Sequence, residues 1–549
     1  TSDGKGYFEF MAPAGQYTMI VQSIAAHRRE FPVTIEEGKE NHFADIEIRE
    51  NINQLEQVVV TGQFSPQSMR NSLYKVRTVN SEQIRQKAPT SVQSLLNTEI
   101  GIRLSNDMAL GETDFELMGM SGNNVKILLD GIPLIDRGAT KQSLSQLDVN
   151  SIERVEIVEG PMSVVYGTDA LAGVINIITK KGDGYSEENT WRVGARVQEE
   201  SMGKEYDFFK DKGLHNESID LGFNHKSGLF VNGGYTRNNH GGWQGDLTGR
   251  EKRWHPKDQA LMNGMFGFQN MNVWYRLDFL DEKIFGPNNG SELQPEKVSD
   301  KDFLTKRYTH QLQSDWKLDN RLDVHAALSY QDYKRRTRTT ESDLSTGEKW
   351  LSSAEASQDI TQYKAWIARA TVAWNIAPEF SVQPGVEYQW TQGEGGRIDG
   401  TPKVSDLAFF LSAEYKPWEW LSLRPGVRTF IVADYDAPIA IPSVLTKFKL
   451  TKHMDLRLSY AYGFRSPTLQ ELYFSFHNDN HDIDGNPDLK AEYSHNITGS
   501  VAYRVLHSEK IHLTTTLSGF YNDFRDKISL AQNVDIPNYN TYYNIDRYK

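Results

Sequence analysis

Asn272-Val273-Trp274-Tyr275-Arg276-Leu277-Asp278-Phe279 alternates apolar and polar side chains along its length. So does Arg321-Leu322-Asp323-Val324-His325-Ala326-Ala327-Leu328-Ser329-Tyr330. Met454, Leu456, Leu458, Tyr460 and Tyr462 are interleaved with Asp455, Arg457, Ser459 and Ala461. Side chains on a strand point to opposite faces in turn, so each stretch predicts a strand with one apolar face. The connections between such strands are of two kinds. Asn375–Glu379, Tyr415–Trp420, Leu318-Asp319-Asn320 and Leu450-Thr451-Lys452 read as tight turns, the first two introducing the related segments Val382-Gln383-Pro384-Gly385-Val386 and Leu423-Arg424-Pro425-Gly426-Val427. The segments 237–257, 284–304, 332–360, 391–406 and 473–490 read as long polar loops.

Periodicity does not say which face is inside. A soluble many-stranded barrel, propeller or sandwich turns its apolar faces inward, whereas a membrane barrel turns them toward lipid. Short turns at one rim, long loops at the other and an aromatic content of 11 % favour the transmembrane barrel. The chain has 549 residues, enough for two to four domains or one large one. Its mean hydropathy of -0.58 and the lack of any run of about 20 apolar residues exclude a helical membrane protein. That average does not exclude a barrel. Lys plus Arg is 60 and Asp plus Glu 73, a net charge of -13, so nothing points to nucleic acid as a partner. With no cysteine there is neither a disulfide framework nor thiolate chemistry.

Upstream of residue 182 the pattern differs. Residues 1–50 read as a small β unit resembling the later part of an Ig-like sandwich. Its strand signals are Tyr7, Phe8 and Phe10, then Tyr17, Met19 and Val21, then Phe31, Val33 and Ile35, then Ile46 and Ile48. Residues 51–64 form a connector with one short strand candidate. Residues 65–181 form an α/β unit. Ser81 opens a helix closed before Pro89, Val92, Leu95 and Leu96 mark another, Val125–Leu129 is a strand turned by Asp130-Gly131, and Val155–Val158 and Val174–Ile178 are further strands.

At residues 55–181 the sequence resembles the TonB-dependent outer-membrane receptor family. The resemblance rests on Leu55-Glu56-Gln57-Val58-Val59-Val60-Thr61-Gly62, on Asn124-Val125-Lys126-Ile127-Leu128-Leu129-Asp130-Gly131-Ile132-Pro133, and on Ile152-Glu153-Arg154-Val155-Glu156-Ile157-Val158-Glu159-Gly160-Pro161 continuing through Tyr166-Gly167-Thr168-Asp169-Ala170 to Thr179. It implies a transmembrane antiparallel β-barrel over 182–549, of about 22 strands when complete, with an N-terminal α/β plug inside it. Residues 1–50 resemble the partial carboxypeptidase-regulatory-like domain of Bacteroidetes-type receptors. The family implies a non-catalytic transporter of the outer membrane, contacting lipid, whose N-terminal region is periplasmic. Val58, Val59, Val60 and Thr61 are then the coupling strand for a TonB-ExbB-ExbD-type energy complex, and a surface lipoprotein that captures or delivers the ligand is a further expected partner. Residues 182–549 are tight for such a barrel, which leads to the expectation that the sequence is C-terminally incomplete.

For the cargo, Phe464-Arg465-Ser466-Pro467 resembles a haem-receptor box usually ending Arg-Ala-Pro, and Asn486-Pro487-Asp488-Leu489 matches its companion. In such receptors a histidine of the intervening loop meets the iron. Here that interval holds His477 and His481, with Tyr473 nearby and Phe474 and Phe476 suited to a porphyrin face. Haem is therefore the preferred transported ligand. Cobalamin is the alternative, with Trp243 and Trp254 in loop 237–257 suited to either. A ferric siderophore is a third reading, for which Lys334, Arg335, Arg336 and Arg338 would attract an anionic chelate. A passive porin or adhesin barrel is the alternative of a different class. No metal site is assigned.

Overall fold

In a computed structural model of the protein, the described residues are 8–9, 12–23, 26–36, 38, 42, 46, 58–107, 112–135, 142–182, 188–354, 356–432, 434–478, 481–507, 512–533, 536 and 538–548. The chain divides into two compact units, Thr1–Ser72 and Leu73–Lys549. The first contains an antiparallel hairpin of strands Gly15–Ser23 and Ala26–Ile35, in which Tyr17 is in backbone register with Val33. It also contains a two-residue ribbon, Val58–Val59 against Gln67–Ser68. Positions 7, 10, 47 and 48 of the expected Ig-like strands, and Leu55–Gln57 of the connector, lie outside the described residues.

The second unit begins with a five-stranded sheet in the order Ile132–Pro133, Val125–Leu129, Gly173–Thr179, Ile152–Glu159, Lys75–Asn80. The second and third of these are parallel, and the other neighbours are antiparallel. Val125–Leu129 and Gly173–Thr179 are buried along their whole length. That explains why they read as unbroken apolar runs rather than alternating ones. Helix Ser81–Lys87 starts at an Asn80–Gln83 capping box and helix Val92–Leu96 at a Ser91 cap. Ile84, Leu95 and Leu96 join Val155, Ile157, Ile175 and Ile177 in one apolar core. The Asp130-Gly131 turn has positive φ at both residues, 49° and 85°, as a two-residue hairpin requires. Asp130 is more than a turn former, because its carboxylate also accepts bonds from the Thr179 backbone N–H and hydroxyl at 3.0 and 2.7 Å.

Around this globule runs a 19-stranded sheet, from Thr190–Glu200 to Tyr539–Tyr548, in which the long strands follow one another in sequence order. Three short strands, Lys349–Leu351, Ser475–Asn478 and His481–Asp484, belong to loops. Among the described residues the first strand pairs only with its successor, and the last pairs with His512–Gln532 and His481–Asp484. The tight turns fall where the sequence predicts them, after Lys317, Ala377, Trp418 and Lys449. The long loops are a partial correction. Strands Lys297–Lys317 and Leu322–Asp343, of 21 and 22 residues, pair continuously through 297–304 and 332–343. Apart from Val298, Phe303, Leu304 and Tyr333 these stretches are polar and show no regular apolar period, yet a backbone ladder does not need one.

The strand Lys403–Trp418 shows which face is which. Phe409 and Leu411 are 46 % and 48 % exposed, whereas Phe410, Ser412 and Glu414 between and beside them are buried. The outward face is thus apolar, while the inward face carries the polar side chains Ser412 and Glu414 together with Phe410, which lies under Arg369 and Arg428, the arrangement of a lipid-facing barrel. Near the short turns, Trp316, Trp374, Trp418 and Trp420 are exposed, and the last two stack with centroids 5.2 Å apart. Aromatic girdles at a membrane boundary look like this.

Candidate functional site

The plug is held by polar contacts. The side-chain amides of Gln311, Gln313 and Gln331 donate to the carbonyls of Leu129, Asp130 and Pro133 at 3.2, 3.0 and 2.7 Å. Asp148 accepts from Thr236 and Asn263, both at 2.9 Å, and burial pushes its carboxyl pKa up. Helix Ser163–Tyr166 packs through Val164 against Ile441, Phe464 and Ala491 of the wall. Below it, Glu387 is paired with Arg369 at 2.6 Å and Arg428 at 2.7 Å.

Toward the long-loop end two cavities open. One, of about 1030 Å³, lies between the plug (Lys126, Pro133, Ile135, Thr168) and the wall (Asp406, Pro467). The other, of about 940 Å³, lies farther out. Its lining includes Lys301, Arg335 and Arg397 together with Phe303, Phe474 and Phe476. Arg335 lies over the Phe303 ring at 4.7 Å and Arg397 over Phe476 at 4.2 Å. Arg397 also approaches Asp359 at 3.5 Å. Cations backed by aromatic faces, with Asp359 the one carboxylate among the described lining residues, form a receiving surface for an anionic ligand with flat apolar parts. The cluster Tyr333, Tyr363, Ile398 and Leu469 stands between the two cavities, whose linings share Tyr363 and Gln470.

The sequence-predicted residues fall into separate groups. His477 lies on the hairpin Ser475–Asn478/His481–Asp484, directly opposite Asp482. Its Nδ1 is 2.5 Å from Asp482 and its Nε2 3.1 Å from Asp484, so both ring nitrogens face carboxylates. These partners raise its pKa. The His481 side chain lies outside the described residues. Tyr473 packs against the Tyr333–Leu469 cluster. Trp243 and Trp254 pair across a different loop, exchanging backbone bonds of 2.9 and 3.0 Å, with rings edge to face. No group of three or more potential metal ligands occurs among the described residues.

The two family boxes are brought together, and by each other's surroundings. Phe464 is buried against Phe430. Arg465 is buried and pairs with Glu471 at 2.9 Å and Glu492 at 3.0 Å, the latter three residues beyond Leu489. Ser466 donates its backbone N–H to Thr168 of the plug at 2.8 Å, and Pro467 lines the inner cavity. Asn486 donates to the Tyr542 carbonyl at 2.9 Å and accepts the Asp488 N–H at 3.0 Å, capping the turn through Pro487. Leu489 is buried with Leu472 and Ile528.

Sequence reasoning did not find Lys301 and Phe303, both on strand Lys297–Lys317, or Arg397, in the loop after strand Phe380–Gly395; the loop joins the strand only through register and loop packing. It grouped Lys334, Arg335, Arg336 and Arg338 as one basic rim. Strand parity separates them. Lys334 is exposed and Arg335 is buried facing the cavity. Arg338 is tied to Asp302. Period two was the available signal. The Thr468-x-x-Glu471 capping box of helix Leu469–Tyr473 was also readable and was missed.

The comparisons with known proteins agree with this architecture. The family described as "TonB dependent receptor-like, beta-barrel" matches residues 166–549, and "TonB-dependent Receptor Plug Domain" matches 68–174. The chain is 25 % identical over 504 residues to the iron-regulated outer membrane virulence protein of Vibrio cholerae serotype O1, covering 86 % of this chain and 69 % of that protein. It is 24 % identical over 440 residues to the vitamin B12 transporter BtuB of Vibrio vulnificus, covering 79 % of this chain and 65 % of the transporter. Among solved structures, the ferric enterobactin receptor PfeA of Pseudomonas aeruginosa superposes with a TM-score of 0.63 at 17 % identity, over 86 % of this chain and 76 % of that one.

Proposed function

Because the chain belongs to the TonB-dependent receptor family, whose members are non-catalytic β-barrel receptors of the outer membrane with a periplasmic plug and a TonB-ExbB-ExbD energiser, we propose that it imports a ferric siderophore, an anionic iron chelate. The observation that carries this reading is the outer cavity, where Lys301, Arg335 and Arg397 are set among Phe303, Phe474 and Phe476. A ferric tris-catecholate matches it well, with negative charge for the cations and flat rings for the phenylalanines. The relative described as an iron-regulated virulence protein points the same way.

The haem preference drawn from the boxes gives way, because their side chains are used internally. Arg465 is committed to Glu471 and Glu492, and both nitrogens of His477 face aspartates, whereas an axial ligand needs a lone pair free for iron. In this reading Phe474 and Phe476 wall the cavity, with Tyr473 packed in the cluster behind it and His477 on the adjoining recess, and Trp243 and Trp254 form an outer rim of the mouth. Val58–Thr61 is the coupling strand. A partner would add to or replace its short pairing with Gln67–Ser68.

The test is equilibrium binding by the full receptor in detergent, comparing a ferric tris-catecholate, haem and cyanocobalamin. We expect the catecholate to bind tightest. Arg335→Ala and Arg397→Ala should each weaken it by roughly ten- to a hundredfold, about 1.5–3 kcal/mol for a charge-assisted contact. Tight haem binding with an absorption change lost in His477→Ala would overturn the siderophore reading. Tight cobalamin binding untouched by either arginine variant would overturn it too.

A further inference from the structure

We propose that the outward face of the wall carries a docking site for an anionic, phosphate-bearing lipid of the outer leaflet, gripped by Lys306, Lys334, Arg336 and Lys364. The site lies on the lipid side of the adjacent strands Lys297–Lys317, Leu322–Asp343 and Ile360–Ala377. It is independent of what the outer cavity binds.

Height along the strands places these cations. Trp316 and Trp374 are exposed near the short turns, and Val324 stands in register with Trp316. Ten residues farther along the same three faces come Lys306, Lys334 and Lys364. Ten residues at about 3.3 Å each, tilted by about 40°, rise roughly 25 Å, the height of a barrel's apolar band. The face between is apolar and aromatic. Leu312 and Leu328 are exposed, Tyr308 packs on Phe279 with ring centroids 4.9 Å apart, and Tyr330 packs on Trp366 at 4.7 Å. The three lysines therefore stand at the outer edge of the hydrocarbon, with Arg336 one step above Lys334 on the same face.

Their charge is not cancelled from within. Lys306 is directly opposite Lys334 in the ladder, and like charges so placed repel. The nearby carboxylates are taken. Asp281 lies 3.4 Å from Lys306. Asp302 is shared by Lys283 at 3.1 Å and Arg338, and Asp332 accepts the Gln362 amide at 2.7 Å. Lys334, Arg336 and Lys364 have no acidic partner among the described residues, and Arg336 Nε is buried without a hydrogen-bond partner. An anion among them would turn the repulsion into attraction. A lipid fits both halves of the surface, its phosphate level with the cations and its acyl chains on the aromatic slope below. A soluble anion would match the charge and leave the slope unused. The basic run 334–338 thus divides by parity: Arg335 faces the cavity, and Lys334 and Arg336 face the membrane edge.

Lipid binding and thermal unfolding of the full receptor in a nonionic detergent test this, with diphosphorylated lipid A, zwitterionic phosphatidylethanolamine and inorganic phosphate as probes. Lipid A should bind at least tenfold tighter than phosphatidylethanolamine and raise the melting temperature. Lys306→Gln, Lys334→Gln, Arg336→Gln and Lys364→Gln should each weaken lipid A binding about fivefold, and the first three combined about a hundredfold. Arg237→Gln, an outward cation already paired with Asp258, should change it less than twofold. The sign of the stability change separates lipid binding from a structural role. Without lipid, Lys334→Gln should melt no lower than wild type, because it removes a repulsion. With lipid A it should melt lower. A variant that melts lower in both conditions, or equal binding of the two lipids, overturns the site. So does lipid A binding that survives in the single variants. Inorganic phosphate that stabilises the receptor as much as lipid A does at the same concentration also overturns it, since the surface would then hold bare anions.

Discussion

Arg465 shows how much a single buried residue can hold. Its guanidinium joins the end of one wall strand to Glu471 of helix Leu469–Tyr473 and to Glu492 at the start of the next wall strand. The Glu492 carboxylate also accepts the Ile528 N–H at 3.2 Å. Arg465→Ala would leave two carboxylates without their cation and should cost about 3–5 kcal/mol, read as a lower melting temperature in detergent and a reduced yield of folded receptor. Arg465→Lys should recover only part of this, since an ammonium lacks the planar fork that reaches both partners. Two plug glycines are equally constrained. Gly167 has φ 74° and a Cβ there would lie 2.9 Å from Arg428 Nη2, while a Cβ on Gly173 would collide with the Val158 carbonyl. Gly173→Ala should abolish folding of the plug, detected as protease sensitivity of residues 73–180. Gly167→Ala should destabilise it less, because the arginine tip can move.

At the scale of the strand, parity decides the consequence of a substitution. Leu411 sits mid-strand on the exposed apolar face, and Ser412 beside it faces the plug. Leu411→Arg should destabilise the barrel by about 2–4 kcal/mol, the cost of a cation at mid-bilayer. Ser412→Ala should be nearly neutral. Unfolding of the two variants in liposomes compares them directly, and equal losses would contradict the assignment of the outer face. The same parity corrects the basic rim, because Arg335 points inward whereas Lys334 does not.

At the scale of the molecule, the plug–wall interface is built largely from side-chain hydrogen bonds, with small apolar contacts at Val164 and Ile132 rather than one extensive shared core. Water can satisfy most of these groups, so the plug can shift without exposing a large apolar surface. An energised partner then needs a handle on the plug's N-terminal side. Deleting residues 55–62 should leave ferric-chelate binding unchanged and abolish uptake driven by the proton-motive force, measured with radiolabelled iron in cells. Uptake that survives the deletion would refute the assigned coupling strand.

The sequence by itself determined the elements. Alternation in 272–279 and 454–462, the capping residues Asn80 and Ser91, the Asp130-Gly131 turn and the apolar runs of the plug are local, and local sterics and hydrogen bonding suffice to fix them. The boxes at 464–467 and 486–489 were also legible, but their use was not, because Arg465 meets Glu492 only after the chain has turned through a helix and a hairpin. The cationic cavity was hidden for the same reason. Lys301, Arg335 and Arg397 are far apart in sequence, and the strand register Thr305 opposite Arg335 brings the first two near. Tertiary structure alone decided which face of each strand meets lipid, and which nitrogens of His477 remain available, since both depend on what the rest of the chain places alongside.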